Sequence, residues 1–374
     1  MSYQFDVNTT LKVVESSWIH IHPNALRNKI MEENKPKRRK RYSGKYPKTF
    51  EEKYKEQNPD QYQDVIDHVI EKGNTPAGMH RSIMVDEILT FLDIKPGEIG
   101  LDCTLGFGGH SKKMLEKLNH TGHLHATDLD PIELPKTEQR LLSAGFAKDN
   151  FSLHNINFKD IDQIPVSGFD FILADLGVSS MQIDDPSRGF TYKFNGPLDL
   201  RMNPQIGVPA SRRLLELSQD EIEGMLVENA DEPFAKEIAL EISKALQNGR
   251  FIETTKDLYK VIQKALSTLP KAIQEESIKK AAQRTFQALR IDVNQEYQAL
   301  YDLLEKIPVL LNKGGRAAIL TFHSGEDRLV KKAFQYYQRQ GIYSSVVGPV
   351  LPSLKEVHDN PRARSAKLRC AIKG

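Results

Sequence analysis

The sequence predicts an α/β fold in which a parallel sheet is built from two stretches of chain separated by an all-helical insertion. Short apolar runs alternate with helical periods between about residues 84 and 174. The pattern turns purely helical between about Val208 and Gln283, and a long helix followed by an apolar run resumes beyond it. Glycine-rich or acidic loops follow several of the apolar runs, at the strand ends where open α/β sheets hold their ligands.

The chain has 374 residues, 39% of them apolar and 27% charged, the balance of a soluble globular protein with room for two or three domains. No window approaches the roughly 18 apolar residues of a membrane span. Met1 to Leu11 lacks a basic start leading into an apolar stretch, which speaks against export. Cys103 and Cys370 have no second cysteine at chelating spacing, which points to a reducing, cytoplasmic setting and to no metal site.

Residues 1–75 read as a basic, partly ordered extension with one amphipathic helix at Pro59 to Lys72, where Tyr62, Val65, Ile66, Val69 and Ile70 share a face. Within it, Lys35-Pro-Lys-Arg-Arg-Lys-Arg41 packs six cations into seven positions. That run suits a phosphate-seeking arm, a solvated tail or a nuclear-import signal. The first α/β segment, 76–205, begins with a short helix at Met84 to Leu92, broken by Pro96-Gly97 ahead of a strand at Ile99 to Cys103. A helix at Gly109 to Leu118, a strand at His123 to Thr127, a helix at Ile132 to Ala144, and strands near Phe151 to His154 and at Phe169 to Ala174 complete it. The helical insertion, 206–283, carries a capping box at Ser218/Glu221 and a helix with Phe234, Ile238, Ile242 and Leu246 on one side, stopping at Asn248-Gly249. In the second segment, 284–374, one long helix carries Phe286, Leu289, Val293, Tyr297, Leu300 and Leu304 on a stripe, followed by Gly314-Gly315, a strand at Ala317 to Phe322 and a helix from about Glu326.

Two stretches carry chemistry. In Asp102-Cys-Thr-Leu-Gly-Phe-Gly-Gly-His110 a strand runs into a glycine turn and then a helix, where backbone approaches a ligand that a Cβ would strike. The glycine spacing is not that of a dinucleotide fold, and no cation is poised for a pyrophosphate, which disfavours a nicotinamide oxidoreductase. About 20 residues on, Asp128 ends the next strand and can accept both ribose hydroxyls, while Asp130, before Pro131, suits a helix cap. Phe158 follows the third strand and can lie against an adenine ring. The second stretch is the loop from Asp175 to Met202. Asp175 ends a strand and can accept a hydrogen bond from an exocyclic amine, relieving the poor nucleophilicity of its delocalised lone pair, or can hold the amino-acid part of a cofactor. Ser179 and Ser180 stand with Asp175 as candidate catalytic residues, and with Gln182 they supply further hydrogen bonds. A base must leave its stack to reach such a site, and Phe190, Tyr192 and Phe194 alternate with Arg188 and Lys193, with Arg201 at the loop's end. Together the two stretches suit a methyltransferase acting on a nucleic-acid base.

From about Gly78 to the C-terminus the chain resembles the bacterial 16S rRNA (cytosine(1402)-N4)-methyltransferase family. Beyond the two stretches above, the resemblance is carried by Arg188-Gly-Phe190, Gly196-Pro-Leu-Asp-Leu-Arg-Met202, Arg284-Thr-Phe-Gln-Ala-Leu-Arg-Ile291 with Val293-Asn294, Phe322-His-Ser-Gly-Glu-Asp-Arg328 and Asn360-Pro-Arg-Ala-Arg-Ser-Ala-Lys367. It implies a Rossmann-like domain dependent on S-adenosyl-L-methionine, methylating a cytosine of 16S rRNA in the decoding centre of the small ribosomal subunit. It implies cofactor contacts at Gly108, Gly109, His110, Asp128, Phe158, Asp175 and Gln182. The candidate substrate contacts are Arg188, Phe190, Asp199, Arg201, His323 and Arg328, of which the resemblance moves His323 and Arg328 toward that role. A homodimer is compatible with the sequence. Asp175-Leu-Gly-Val lacks the Pro-Pro-aromatic motif of DNA amino-methyltransferases, which sets that reading aside. The alternative is a non-catalytic or retargeted RNA-binding paralogue that holds the same cofactor.

Overall fold

The computed structural model describes residues 82–374. The basic run Lys35–Arg41 and the helix expected at Pro59 to Lys72 lie outside the described residues. Helix α1 (Val85–Leu92) leads into β1 (Ile99–Asp102), α2 (Gly109–Leu118), β2 (His123–Thr127), α3 (Glu133–Ser143), β3 (Phe151–His154) and β4 (Phe169–Asp175). These bounds match the apolar runs because each run is ended by a breaker: Pro96-Gly97, the turn at Gly106–Gly108, and Asp128 to Pro131.

The long loop after β4 contains a short helix, α4 (Ser180–Asp184). Beyond it come α5 (Ala210–Glu216), α6 (Gln219–Ala230), α7 (Ala235–Gln247), α8 (Thr255–Ala265) and α9 (Lys271–Asn294). The capping box Ser218/Glu221 forms as its spacing predicts, and Thr254/Asp257 makes another at the start of α8. The helices share a core of Leu214, Ile222, Leu226, Ile238, Ile242 and Leu258, all fully buried. At about 1.5–3 kcal/mol for each large aliphatic side chain removed from water, that core holds the block together.

The sheet resumes after α10 (Glu296–Leu310) with β5 (Leu311–Thr321), α11 (Ser324–Arg339), β6 (Tyr343–Val350), α12 (Leu354–Asp359) and β7 (Lys367–Lys373). Its seven strands run in the order β3-β2-β1-β4-β5-β7-β6. The first five are parallel, while β7 is antiparallel to both β5 and β6. Alternate strand residues feed two cores, one behind α1 and α2 with Leu124, Phe171 and Leu320, the other beneath α10 and α11 with Leu101, Ile172 and Ile319.

Two expectations are corrected here. The single long helix is two helices, because Gln295 adopts a left-handed conformation (φ 51°) that ends α9 and starts α10. The stripe divides accordingly: Phe286 and Leu289 bury in the helical core, Leu300 and Leu304 in the core beneath the sheet. Helix α9 therefore crosses the 283/284 boundary unbroken, and the change of packing partner falls at Gln295. The sheet, expected to be parallel, is mixed, and the basic terminal stretch forms an internal strand: Arg369 is buried there because its Nε–H donates to Asp327 Oδ1 at 2.7 Å.

Candidate active site

The carboxyl ends of β1, β2, β4 and β5 open onto a cavity of about 860 Å³ that continues toward α9 and the helical block. Its framework starts at Asp102, a fully buried carboxylate at the end of β1. Asp102 accepts the Thr104 N–H at 3.0 Å on one oxygen and the Ser111 hydroxyl at 2.6 Å on the other, tying the glycine turn to α2. Burial raises its carboxyl above the ordinary range, against the Ser111 hydrogen bond that lowers it. The Thr104 hydroxyl in turn accepts the Asp175 N–H at 2.7 Å, which fixes the end of β4 against the turn.

The glycines are required by the protein's own backbone and packing. At Gly106 (φ +48°) a Cβ would meet only the Thr104 carbonyl, at 3.9 Å. Gly108, the α2 N-cap, has φ +82°, and a Cβ there would lie 2.7 Å from Thr137 Cγ2; at Gly109 it would lie 2.0 Å from Ser82 Oγ. Left-handed backbone at Gly106 and Gly108, and packing at Gly108 and Gly109, already exclude side chains at these positions. Gly108 does not line the cavity, whereas Gly109 does.

Asp128 follows β2 and faces the cavity. Its oxygens accept the Gly106 N–H at 2.7 Å and the Asp130 N–H at 2.8 Å. Burial pushes its carboxyl up to about 6 despite those two bonds. His110, in the first turn of α2, is buried between two acceptors: Nε2 lies 2.9 Å from the Ile83 carbonyl and Nδ1 3.4 Å from Asp175 Oδ2. Burial opposes the imidazolium, but the Asp175 hydrogen bond and charge outweigh it and raise the His110 pKa. Phe158 opens the turn after β3 and also lines the cavity.

The loop after β4 is held by its own polar groups. Ser179 caps α4 and accepts the Gln182 N–H at 3.2 Å, while Gln182 Oε1 accepts the Ser179 N–H at 2.9 Å. Both residues border the cavity, and Ser180 is the first residue of the helix they cap. Gln182 Nε2 donates to Asp130 Oδ2 at 2.9 Å, and Arg188 reaches the same oxygen at 2.7 Å. Asp130 is thus a buried hub, 1% exposed, whose other oxygen accepts the Ile132 N–H at 2.9 Å.

The residues expected to meet substrate differ in their surroundings. Arg188 is buried, and besides Asp130 it donates to the carbonyls of Met202 and Arg201, at 2.7 and 3.2 Å, closing the loop on itself. Asp199 and Arg201 pair with each other through two bonds of 2.7 and 2.8 Å and lie outside the cavity lining. Arg328 is exposed, 3.7 Å from Asp231, and also outside it. Phe190 and His323 do line the cavity. His323 caps α11, its Nδ1 accepting the Glu326 N–H at 3.4 Å, while Nε2 lies 3.1 Å from Glu326 Oε1. Burial raises the Glu326 carboxyl, but the His323 hydrogen bond and charge outweigh it, so the net shift is downward.

The structure adds residues to which sequence reasoning gave no role. Arg290 lines the cavity from α9 and is clamped by Glu296 through bonds of 2.7 and 2.8 Å. The two are six residues apart and meet only because Gln295 reverses the chain between them. Asn294 accepts the Met202 N–H at 2.8 Å and donates to the Leu200 carbonyl at 2.8 Å, pinning the loop's end to α9. Arg362 and Arg364, within the Asn360 to Lys367 motif, border the cavity from the segment before β7, and Arg362 reaches Asp184 at 2.9 Å.

A family model described as the MraW methylase family matches residues 77–374. The chain is 67% identical over 344 residues to "Ribosomal RNA small subunit methyltransferase H 2" of Acholeplasma laidlawii, covering 92% of this chain and 100% of that protein. It is 58% identical over 340 residues to "Ribosomal RNA small subunit methyltransferase H 1" of Lachnoclostridium phytofermentans, covering 90% and 93% of the two. To "Ribosomal RNA small subunit methyltransferase H" of Hydrogenovibrio crunogenus it is 38% identical over 317 residues, covering 79% and 97%.

Proposed function

The chain belongs to the MraW methylase family, and from that premise we propose that it methylates N4 of cytosine 1402 in the 16S rRNA of the small ribosomal subunit, in the cytoplasm, using S-adenosylmethionine. The observation that carries this reading is the strand order. Since β2, β1, β4 and β5 are neighbours in that sequence, Asp128, the glycine turn, Asp175 and His323 follow one another along one cavity.

The residues fit the cofactor. Each Asp128 oxygen accepts one backbone N–H, leaving a lone pair apiece for two ribose hydroxyls, and Phe158 offers a ring face for adenine. Gly109, His110 and Gln182 complete that end of the cavity. When bound, S-adenosylmethionine supplies an electrophilic methyl group on a positively charged sulfur. The target base enters from the side of Phe190, Arg290 and His323. The cytosine amine is a weak nucleophile because its lone pair is spread into the ring. Asp175 accepts one amino hydrogen, returns electron density to N4, and takes the proton that N4 sheds as the N–C bond forms in line with the bond that breaks. His110, in contact with Asp175 and the Ile83 carbonyl, keeps that carboxylate oriented.

Transfer of labelled methyl to isolated small subunits tests the reading. Asp175→Asn loses transfer while still binding S-adenosylmethionine, and near wild-type transfer by Asp175→Asn would remove Asp175 from the mechanism.

A further inference from the structure

A second, smaller groove of about 210 Å³ lies between α7 and α8 in the helical block. Lys244, Arg250, Lys260 and Lys264 line it against Glu241 and Asp257, so cations outnumber carboxylates four to two. Three of the cations are accounted for: Lys244 and Lys264 reach Glu241 at 3.3 and 2.6 Å, and Lys260 lies 3.7 Å from Asp257. Arg250 makes no ion pair among the described residues. Beside it Phe251 leaves 62% of its surface in solvent.

This groove is joined to the active-site loop. The Thr255 N–H donates to the Gly196 carbonyl at 3.0 Å, the Thr255 hydroxyl to the Phe194 carbonyl at 2.7 Å, and the Leu198 N–H to the Glu253 carbonyl at 2.8 Å. Phe194 is itself 43% exposed and follows Lys193, which lines the large cavity. Among the described residues Phe194 and Phe251 are the two exposed phenylalanines, and each sits next to a cation.

We propose that the Phe194 and Arg250–Phe251 surface binds single-stranded RNA flanking the target base, with bases stacked on the two rings and phosphates on Arg250 and Lys193. Exposed rings give sequence-tolerant stacking because every base has a π-face, and the surplus positive charge suits a phosphate backbone. Lys193 lines the large cavity and precedes Phe194 in the chain, so that one strand can reach from the cavity onto this surface. The inference rests on the methylation of RNA proposed above.

The test is fluorescence anisotropy of the full chain with a fluorescein-labelled single-stranded RNA of about 12 nucleotides, within the length such surfaces track. Phe251→Ala weakens binding roughly five-fold or more, and Phe251→Trp restores it. Arg250→Gln lowers the slope of log affinity on log salt by about 0.7, the value for one phosphate contact on a single strand. Neither variant changes affinity for S-adenosylmethionine, since both positions lie outside the large cavity. RNA affinity and salt slope unchanged in both variants would overturn the proposal, as would an equal loss on duplex RNA, which cannot stack its bases on a ring. Because binding is read without methyl transfer, a wild-type chain that binds RNA but methylates none counts against the function proposed above and leaves the groove standing.

Discussion

Replacing Arg188 with Met separates a strut from a substrate contact. The guanidinium is buried against Asp130 at 2.7 Å, and Asp130 is 1% exposed, so the substitution leaves a carboxylate in the interior with only the Gln182 amide and the Ile132 N–H as donors. It also frees the carbonyls of Arg201 and Met202. Breaking a buried pair by removing one partner costs about 3–5 kcal/mol. The two donors left on Asp130 place the expected loss near ~3 kcal/mol. The Asp130→Asn/Arg188→Met double variant should lose less than the sum of the singles by about 1 kcal/mol or more, because the second change no longer strands a charge. Equilibrium urea unfolding followed by circular dichroism reads all four corners of the cycle. A loss under about 1 kcal/mol in Arg188→Met, together with a raised KM for RNA, would show that the side chain turns outward to substrate and refute the reasoning.

Asp128 links pH to both stability and cofactor affinity. Its folded carboxyl sits at about 6 against an ordinary 3.8, so ionisation opposes folding and wild type should lose stability relative to Asp128→Asn as pH rises through that window. Ribose binding needs the ionised form, so calorimetric affinity for S-adenosylmethionine should climb by up to about tenfold per pH unit toward pH 6 and level off above; a flat wild-type profile would sink the ribose assignment. His110 moves stability with pH in the same direction. Its pKa is raised above 6.5, so its stabilising contact with Asp175 is complete below pH 6.5 and is lost as pH rises through the higher folded value. His110→Gln should therefore trail wild type in urea midpoint most in acid, with the gap narrowing above neutrality. Gly108→Ala should cost about 1–2 kcal/mol through left-handed strain at φ +82° before the Thr137 contact is counted, and a neutral effect in thermal melts would contradict that geometry.

The first half of the sheet was legible because its apolar runs end in residues that cannot continue them. Asp102, Asp128 and Asp175 could be read as strand-end carboxylates for the same reason. The Gln295 break was hidden: a left-handed Gln gives no glycine signal, and the apolar stripe runs through it without a change of period. With it went the Arg290–Glu296 clamp, whose six-residue spacing fits neither face of one continuous helix. The charges of Lys367 and Arg369 suit an exposed edge, and it is the distant Asp327 that pairs with both in an internal strand. Ser179 and Gln182 carry a capping signature in their spacing, and that local role was outweighed by their position after a strand. Arg188 reads from sequence as a substrate contact because its partner, Asp130, lies 58 residues earlier in the chain.

The most direct test of the central claim is mass mapping of 16S rRNA after labelled methyl transfer from S-adenosylmethionine to small subunits that lack the modification. Label on N4 of cytosine 1402, lost in Asp175→Asn, is the expected result. Tight S-adenosylmethionine binding with no label at that position would contradict it.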